Sequence, residues 1–314
     1  MTREIVARAP TRIDLGGGWT DVPPYCDREG GFVCNVAIDR YAVVRLSDAP
    51  IARATRDETP LVRATMRRAG LDVSASVASD FPIGAGLGGS SATSAALLAA
   101  IAAWRGQPID RSVIAEEGRR IEVEELGIAG GRQDHYAATY GGALALTFST
   151  STSVRRIDLS SRTRDAFCRR SVLVYTGESR ISGDTITAVL NAYERGERRV
   201  LQALRRMSEL AREIAVALEG ADLDAVGDLL GEHWQHQRSL HSTIPTQRID
   251  DIIAVARHAG ARGGKAMGAS GGGCVLLLCP DGGADAVRLA VGSLGELLDF
   301  RLDEGGVVVE PAAA

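Results

Sequence analysis

The hydrophobic pattern opens on period-two segments. Residues 4–10 (EIVARAP) read as a short, half-buried strand, and residues 11–18 (TRIDLGGG) as a second that ends in a glycine turn. Residues 31–46, rich in β-branched and aromatic side chains, make a third. A short helix is predicted over 58–70 and an alternating strand over 73–79, running into the glycine loop FPIGAGLGGSS at 81–91. From Ser90 to Trp104 nearly every residue is a small, good helix former, so a buried helix should begin where that loop ends. Another helix is predicted over 108–126 with Asp110 as its cap, and strands at 141–148 and 153–159 close a first domain, 1–160. In the second domain, 161–314, a strand at 171–177 precedes a long helical region. There Val200, Leu201, Leu204, Met207, Ala211, Ile214 and Leu218 recur at three- and four-residue spacing, a stripe that reads as core. Helices over 222–240 and 247–259 lead to GGKAMGASGGG (263–273), the apolar strand CVLLLC (274–279), a helix over 283–298 and a last strand, an α+β order.

Composition narrows the class. At 314 residues, 45% hydrophobic and 24% charged, the chain can bury two cores. A formal net charge of −4 and a pI near 5.8 give no basic field for nucleic acid or an anionic membrane surface, so neither is an expected partner. Five cysteines, odd in number and without a CxxC pair, argue against a disulfide framework or zinc site and point to a reducing cytoplasm. No apolar run reaches the roughly 18 residues of a membrane span, and MTREIVARAP is not a secretory signal. The basic residues are 35 Arg and a single Lys, at position 265.

The glycines cluster, which marks backbone shaped around a ligand. PIGAGLGGSSA (82–92) joins a strand to a helix N-terminus, where unpaired N–H groups and the helix dipole favour an anion, phosphate being the natural one. It lacks the Lys of a Walker A loop and the acidic follower of a dinucleotide fingerprint. This stretch resembles the second motif of the GHMP kinases, small-molecule kinases that act on galactose, homoserine, mevalonate and phosphomevalonate. RAPTRIDLGGGWTD is similar to their first motif and GGKAMGASGGGCVLL to their third, in the family order. The similarity covers about residues 7–40, 80–150 and 225–280.

The resemblance implies a two-domain α+β fold, with an N-terminal ribosomal S5-like domain and a C-terminal ferredoxin-like domain. It implies ATP and Mg²⁺ as cofactors. The loop residues Gly84, Gly86, Leu87, Gly88, Gly89, Ser90 and Ser91 would cradle ATP phosphates, and Ser91 would ligate Mg²⁺ with Glu122, Glu124 or Glu125 standing in if the register slips. Asp134, expected in a glycine-flanked turn before a strand, resembles the catalytic aspartate that orients or deprotonates the acceptor hydroxyl, with Arg12 as its charge partner. Asp21 would bind sugar hydroxyls, and Trp19, beside Gly18, would wall a pyranose ring. Gly271 and Gly272 would bring backbone to the substrate. Arg180, Arg132 and Lys265 are candidates for a phosphate already on the substrate. His233 and His236, one helical turn apart, lack a third metal ligand.

Within the family, GGRQDHYAATYGG and EHWQHQRSLHS look like D-glycero-D-manno-heptose 7-phosphate kinases, whereas RIDLGGGWTDVPPYC is nearer L-fucose kinase domains. The expected activity is therefore phosphorylation of an anomeric C1 hydroxyl, on heptose 7-phosphate first and a free sugar such as L-fucose second. A catalytically silent sugar sensor is the third expectation.

Overall fold

The computed structural model describes residues 3–49, 59–178 and 183–310. Its strands are β1 (Glu4–Gly16), β2 (Gly31–Ser47), β3 (Ser74–Ser79), β4 (Ala143–Phe148), β5 (Thr152–Ile157), β6 (Ser171–Tyr175), β7 (Gly263–Ala266), β8 (Cys274–Leu278), β9 (Glu296–Leu298) and β10 (Val308–Val309). The helices are α1 (Tyr25–Glu29), α2 (Pro60–Ala69), α3 (Gly89–Trp104), α4 (Arg111–Arg120), α5 (Gln133–Tyr140), α6 (Ser161–Arg170), α7 (Gly183–Glu194), α8 (Arg198–Glu219), α9 (Leu223–Ser239), α10 (Gln247–His258) and α11 (Ala284–Val291).

Two antiparallel sheets organise these elements. The first has the order β10-β1-β2-β4-β5 with β3 also paired to β2, and the second the order β7-β8-β6-β9. The two opening strands merge into one. β1 runs through Pro10, which has no N–H to give the ladder, and the register against β2 shifts there between Pro10 and Thr11. The alanine-rich α3 lies on β1 and β2, its Ala92, Ala96, Ala99 and Ala100 fully buried, so small side chains let helix and sheet approach closely.

The long apolar stripe forms α8, where all its members but the half-buried Leu201 are enclosed. Ala211, Ile214 and Leu218 share one core with Ile13, Leu15 and Val36 of the first sheet and Leu173, Leu276 and Leu278 of the second. α8 thus packs on β1 and β2 within a core that the second sheet shares. Three differences from the sequence expectation have local causes. α1 and α6 are short helices without a long periodic signal. The helix expected over 283–298 stops at Val291, because Gly292 caps it, and Gly295 lies so close to Tyr175 that a Cβ would stand 2.4 Å from that carbonyl; Glu296–Leu298 then pairs with β6. Residues 299–310 return to the first sheet through Leu302 opposite Ile38 and β10 beside β1.

Candidate active site

The glycine loop ends where α3 begins. Gly88 is the N-cap in the left-handed region, φ +76°, and a Cβ there would sit 3.3 Å from the Asp134 carboxyl. The amides of Gly89, Ser90 and Ser91 have no protein acceptor among the described residues, since Ala92 is the first to donate back, to Gly88. A cluster of outward N–H groups at a dipole's positive end results. β1 braces the loop from beneath: the Arg12 amide donates to the Leu87 carbonyl at 2.9 Å and its guanidinium to the Gly86 carbonyl at 2.5 Å.

That guanidinium also makes a fork to Asp134, Nε to Oδ1 and Nη2 to Oδ2, both at 2.8 Å. The structure thus brings Arg12, Asp134 and Gly88 together. Asp134 is not in a turn before a strand but in the first turn of α5. The cause is Asp21, whose Oδ2 accepts the amides of Arg132 at 2.7 Å and Gln133 at 2.9 Å and so caps that helix. Asp21 is buried, and desolvation, with the Asp134 and Asp14 carboxylates nearby, pushes its pKa up to about 6. The oxygen that the bonds to Arg132 and Gln133 occupy is therefore committed to helix capping.

Glu122 lies in a π-helical turn, Ile121–Glu125, that extends α4. Single π turns recur at functional sites, where the extra residue re-aims a side chain. Glu122 Oε1 accepts from Ser90 Oγ at 2.6 Å, and Oε2 from His135 Nε2 at 2.9 Å; that nitrogen is also 3.3 Å from Ser91 Oγ. Burial raises the Glu122 pKa, but the His135 and Ser90 hydrogen bonds outweigh it and hold the carboxyl below its usual range. Glu124 is exposed, and Glu125 pairs with Arg68. No group of three or more His, Cys, Asp or Glu among the described residues is arranged to hold a metal. The oxygens that face the loop, from Glu122, Ser90 and Ser91, are the hard donors Mg²⁺ accepts when phosphate and water complete its shell.

The third glycine motif reaches the same place differently. The Cys274 amide donates to the Ala85 carbonyl at 2.7 Å, so the two glycine loops touch backbone to backbone. The Gly271 amide is committed to Ile244, and Gly272 packs on the Glu178 carbonyl, 2.6 Å from where a Cβ would be. Neither presents backbone to a substrate; both serve close packing. Gln237 of α9 ties this loop down through the Gly268 carbonyl and Ser270 Oγ.

Lys265 is corrected most strongly. Its side chain is 0% exposed on β7, and Nζ donates to Asp14 Oδ2 at 2.7 Å and to the Asp14 carbonyl at 2.8 Å, so it cannot meet a substrate phosphate. Arg132 is engaged too, with Asp27 and the Ser149 carbonyl, and Arg180 lies outside the described residues. Trp19 is also recast. With φ +84° it turns into the core beside Val22 and Tyr25 and is only 6% exposed, so it offers no open wall to a ring. Gly18 packs on Asp14 Oδ2 and Gln133. His233 accepts the Gly17 amide at Nε2, 2.9 Å, and burial, then Lys265, pushes its pKa down to about 3, which suits that acceptor role. Asp14 and His233 went unrecognised as supports of this turn. The available signal was Asp14 two residues from Arg12, on the same face of a strand.

Comparison with known proteins follows the same lines. Residues 51–142 match the GHMP kinases N terminal domain and residues 214–297 the GHMP kinases C terminal domain. The chain is 26% identical to a D-glycero-alpha-D-manno-heptose 7-phosphate kinase of Campylobacter jejuni, over 97% of this chain and 98% of that protein. It is 27% identical to an L-fucokinase/L-fucose-1-P guanylyltransferase of Bacteroides fragilis over 90% of this chain, which spans only 35% of that longer protein. The crystal structure of a D-glycero-D-manno-heptose 1-phosphate kinase from Bacteroides thetaiotaomicron superposes with a TM-score of 0.77 at 23% identity, over 99% of this chain and all of that one, and so shares its fold. With two domain matches spanning more than half its length, the chain belongs to the GHMP kinase family of ATP-dependent phosphotransferases.

Proposed function

We propose that the protein phosphorylates the anomeric C1 hydroxyl of a sugar, with D-glycero-D-manno-heptose 7-phosphate as acceptor and the 1,7-bisphosphate as product. The observation that carries this reading is the Arg12–Asp134 fork beside the free amides of Gly89–Ser91. Asp134 orients the C1 hydroxyl and accepts its proton as the oxygen attacks the γ-phosphorus and the bond from that phosphorus to the β,γ-bridging oxygen breaks, ADP leaving with the electron pair. Arg12 meets the charge on the transferring phosphoryl oxygens, and the loop amides of Gly86–Ser91 hold the remaining phosphates. Ser91 and Glu122, with Ser90 between them, are the residues that would hold Mg²⁺, which supplies charge neutralisation on ATP when bound. The heptose acceptor is supported by the near full-length match to the Campylobacter jejuni enzyme.

A second reading, a free sugar such as L-fucose, is favoured by a specific observation. Of the cations expected to bind a substrate phosphate, Lys265 and Arg132 are both engaged inside the protein. A panel of free and phosphorylated sugars scored by ADP release separates the two. Turnover of heptose 7-phosphate is expected, and turnover of L-fucose without it reverses the assignment.

A further inference from the structure

Lys265, Asp14, Arg12 and Asp134 form a row of alternating charge that crosses from the second sheet to the phosphate loop. Lys265 meets Asp14 at 2.7 Å, and Arg12 meets Asp134 through two bonds of 2.8 Å. Asp14 and Arg12 are two residues apart on β1, opposite Asn35 and Ala37 of β2, so both side chains leave the same face of the strand about 7 Å apart. Lys265, Asp14 and Arg12 are all nearly inaccessible to water, which leaves little screening along the row. One oxygen of Asp14, Oδ1, is buried without a hydrogen-bond partner among the described residues. The Arg12 guanidinium acts on this carboxylate through space, helping to hold its pKa below the usual value.

We propose that Lys265 is a positioning residue: by neutralising Asp14 it keeps that carboxylate from drawing Arg12 away from Asp134, and so holds the catalytic fork in register. The inference rests on the kinase reading above for its kinetic consequence, but its geometric consequence stands alone. The same lysine also grips the Asp14 carbonyl, which anchors the start of the Gly16–Trp19 turn to β7. It is the only lysine in a chain with 35 arginines. Its compact ammonium reaches two oxygens of a single residue in a sealed site, where a planar five-donor guanidinium would leave N–H groups unpaired.

The test is a pair of variants assayed on the best acceptor from the sugar panel. Lys265→Met should lower kcat by about a hundredfold while the KM for ATP stays within about threefold, because the loop amides are untouched. Asp14→Asn combined with Lys265→Met removes the competing charge together with its partner, and should restore kcat to within about tenfold of wild type. A lysine that merely fills space predicts the opposite, a double variant at least as slow as the single one. That outcome, or a single variant with unchanged kcat, overturns the proposal. If Lys265→Met fails to fold, the double variant decides alone, with a loss as large as that of Asp134→Asn counting against it. A crystal structure of Lys265→Met reads the geometry without catalysis: Arg12 should turn toward Asp14, and an intact 2.8 Å fork to Asp134 refutes the idea even if no sugar is turned over.

Discussion

Two glycine loops meet backbone to backbone and differ in what becomes of their amides. Around Gly84–Gly89 the missing side chains leave amides uncovered at the start of α3, and the loop faces outward. Around Gly268–Gly273 the missing side chains let backbone press on backbone, and the amides of Gly271 and Gly273 are consumed by the Ile244 and Glu178 carbonyls. Similar composition thus leaves amides unpaired in one loop and consumes them in the other. The difference is set by what lies opposite the amides, since Gly86 also packs closely on Met267: no protein acceptor among the described residues at the helix terminus in the first case, the Ile244 and Glu178 carbonyls in the other.

Substitutions can break or sharpen that contrast. The largest effect is expected at the residue the first loop faces. Asp134→Asn should lower kcat about a thousandfold, with ATP affinity by calorimetry within a few fold of wild type. In the second loop, Gly273→Ala places a methyl 2.8 Å from the Ala85 carbonyl at φ +78°, and should lower stability by about 3 kcal/mol in denaturant melts. If it instead leaves the midpoint unchanged and raises the KM for ATP, the two loops do not differ as described. A smaller effect is expected at Asp21, which caps the helix carrying Asp134. Its carboxyl is raised to about 6 from an ordinary 3.8, so the fold binds that proton more tightly than the unfolded chain does. The resulting stability is present below about pH 4 and is lost as pH rises through 6, on the order of 3 kcal/mol. Asp21→Asn should flatten the midpoint-versus-pH curve across that window while keeping an acceptor for α5. The smallest effect belongs to Gly88→Ala, about 1 kcal/mol in stability from the left-handed backbone, with the KM for ATP as its main symptom.

The parts legible in the sequence were those encoded locally. The small-residue run of α3, the stripe of α8 and the loop before Ser90 each carry their signal within one window, and each stands where the pattern put it. Arg12 and Asp134 were joined through motif order rather than periodicity, and they do meet. What stayed hidden depended on distant partners. Asp134 became helical because Asp21, more than a hundred residues earlier, caps α5. Lys265 looked available until Asp14, 251 positions away, closed on it. Trp19 looked like a sugar platform because nothing nearby in sequence reveals α7 and α8 above it. The π turn at Glu122 likewise has no compositional mark, since it adds a residue to a helix without changing its chemistry.

The return of residues 299–310 to the first sheet has a consequence for how the chain comes into being. β10 covers the edge of β1, the Asp303 carbonyl accepts the Gly142 amide, and the Val307 amide reaches the Thr139 carbonyl at the end of α5. During synthesis these groups and edges wait until residues 303–309 have emerged. The helix that carries Asp134 is thus secured by residues far later in the chain, and a ribosome stalled between the two would hold a half-built sheet with a bare edge open to mispairing.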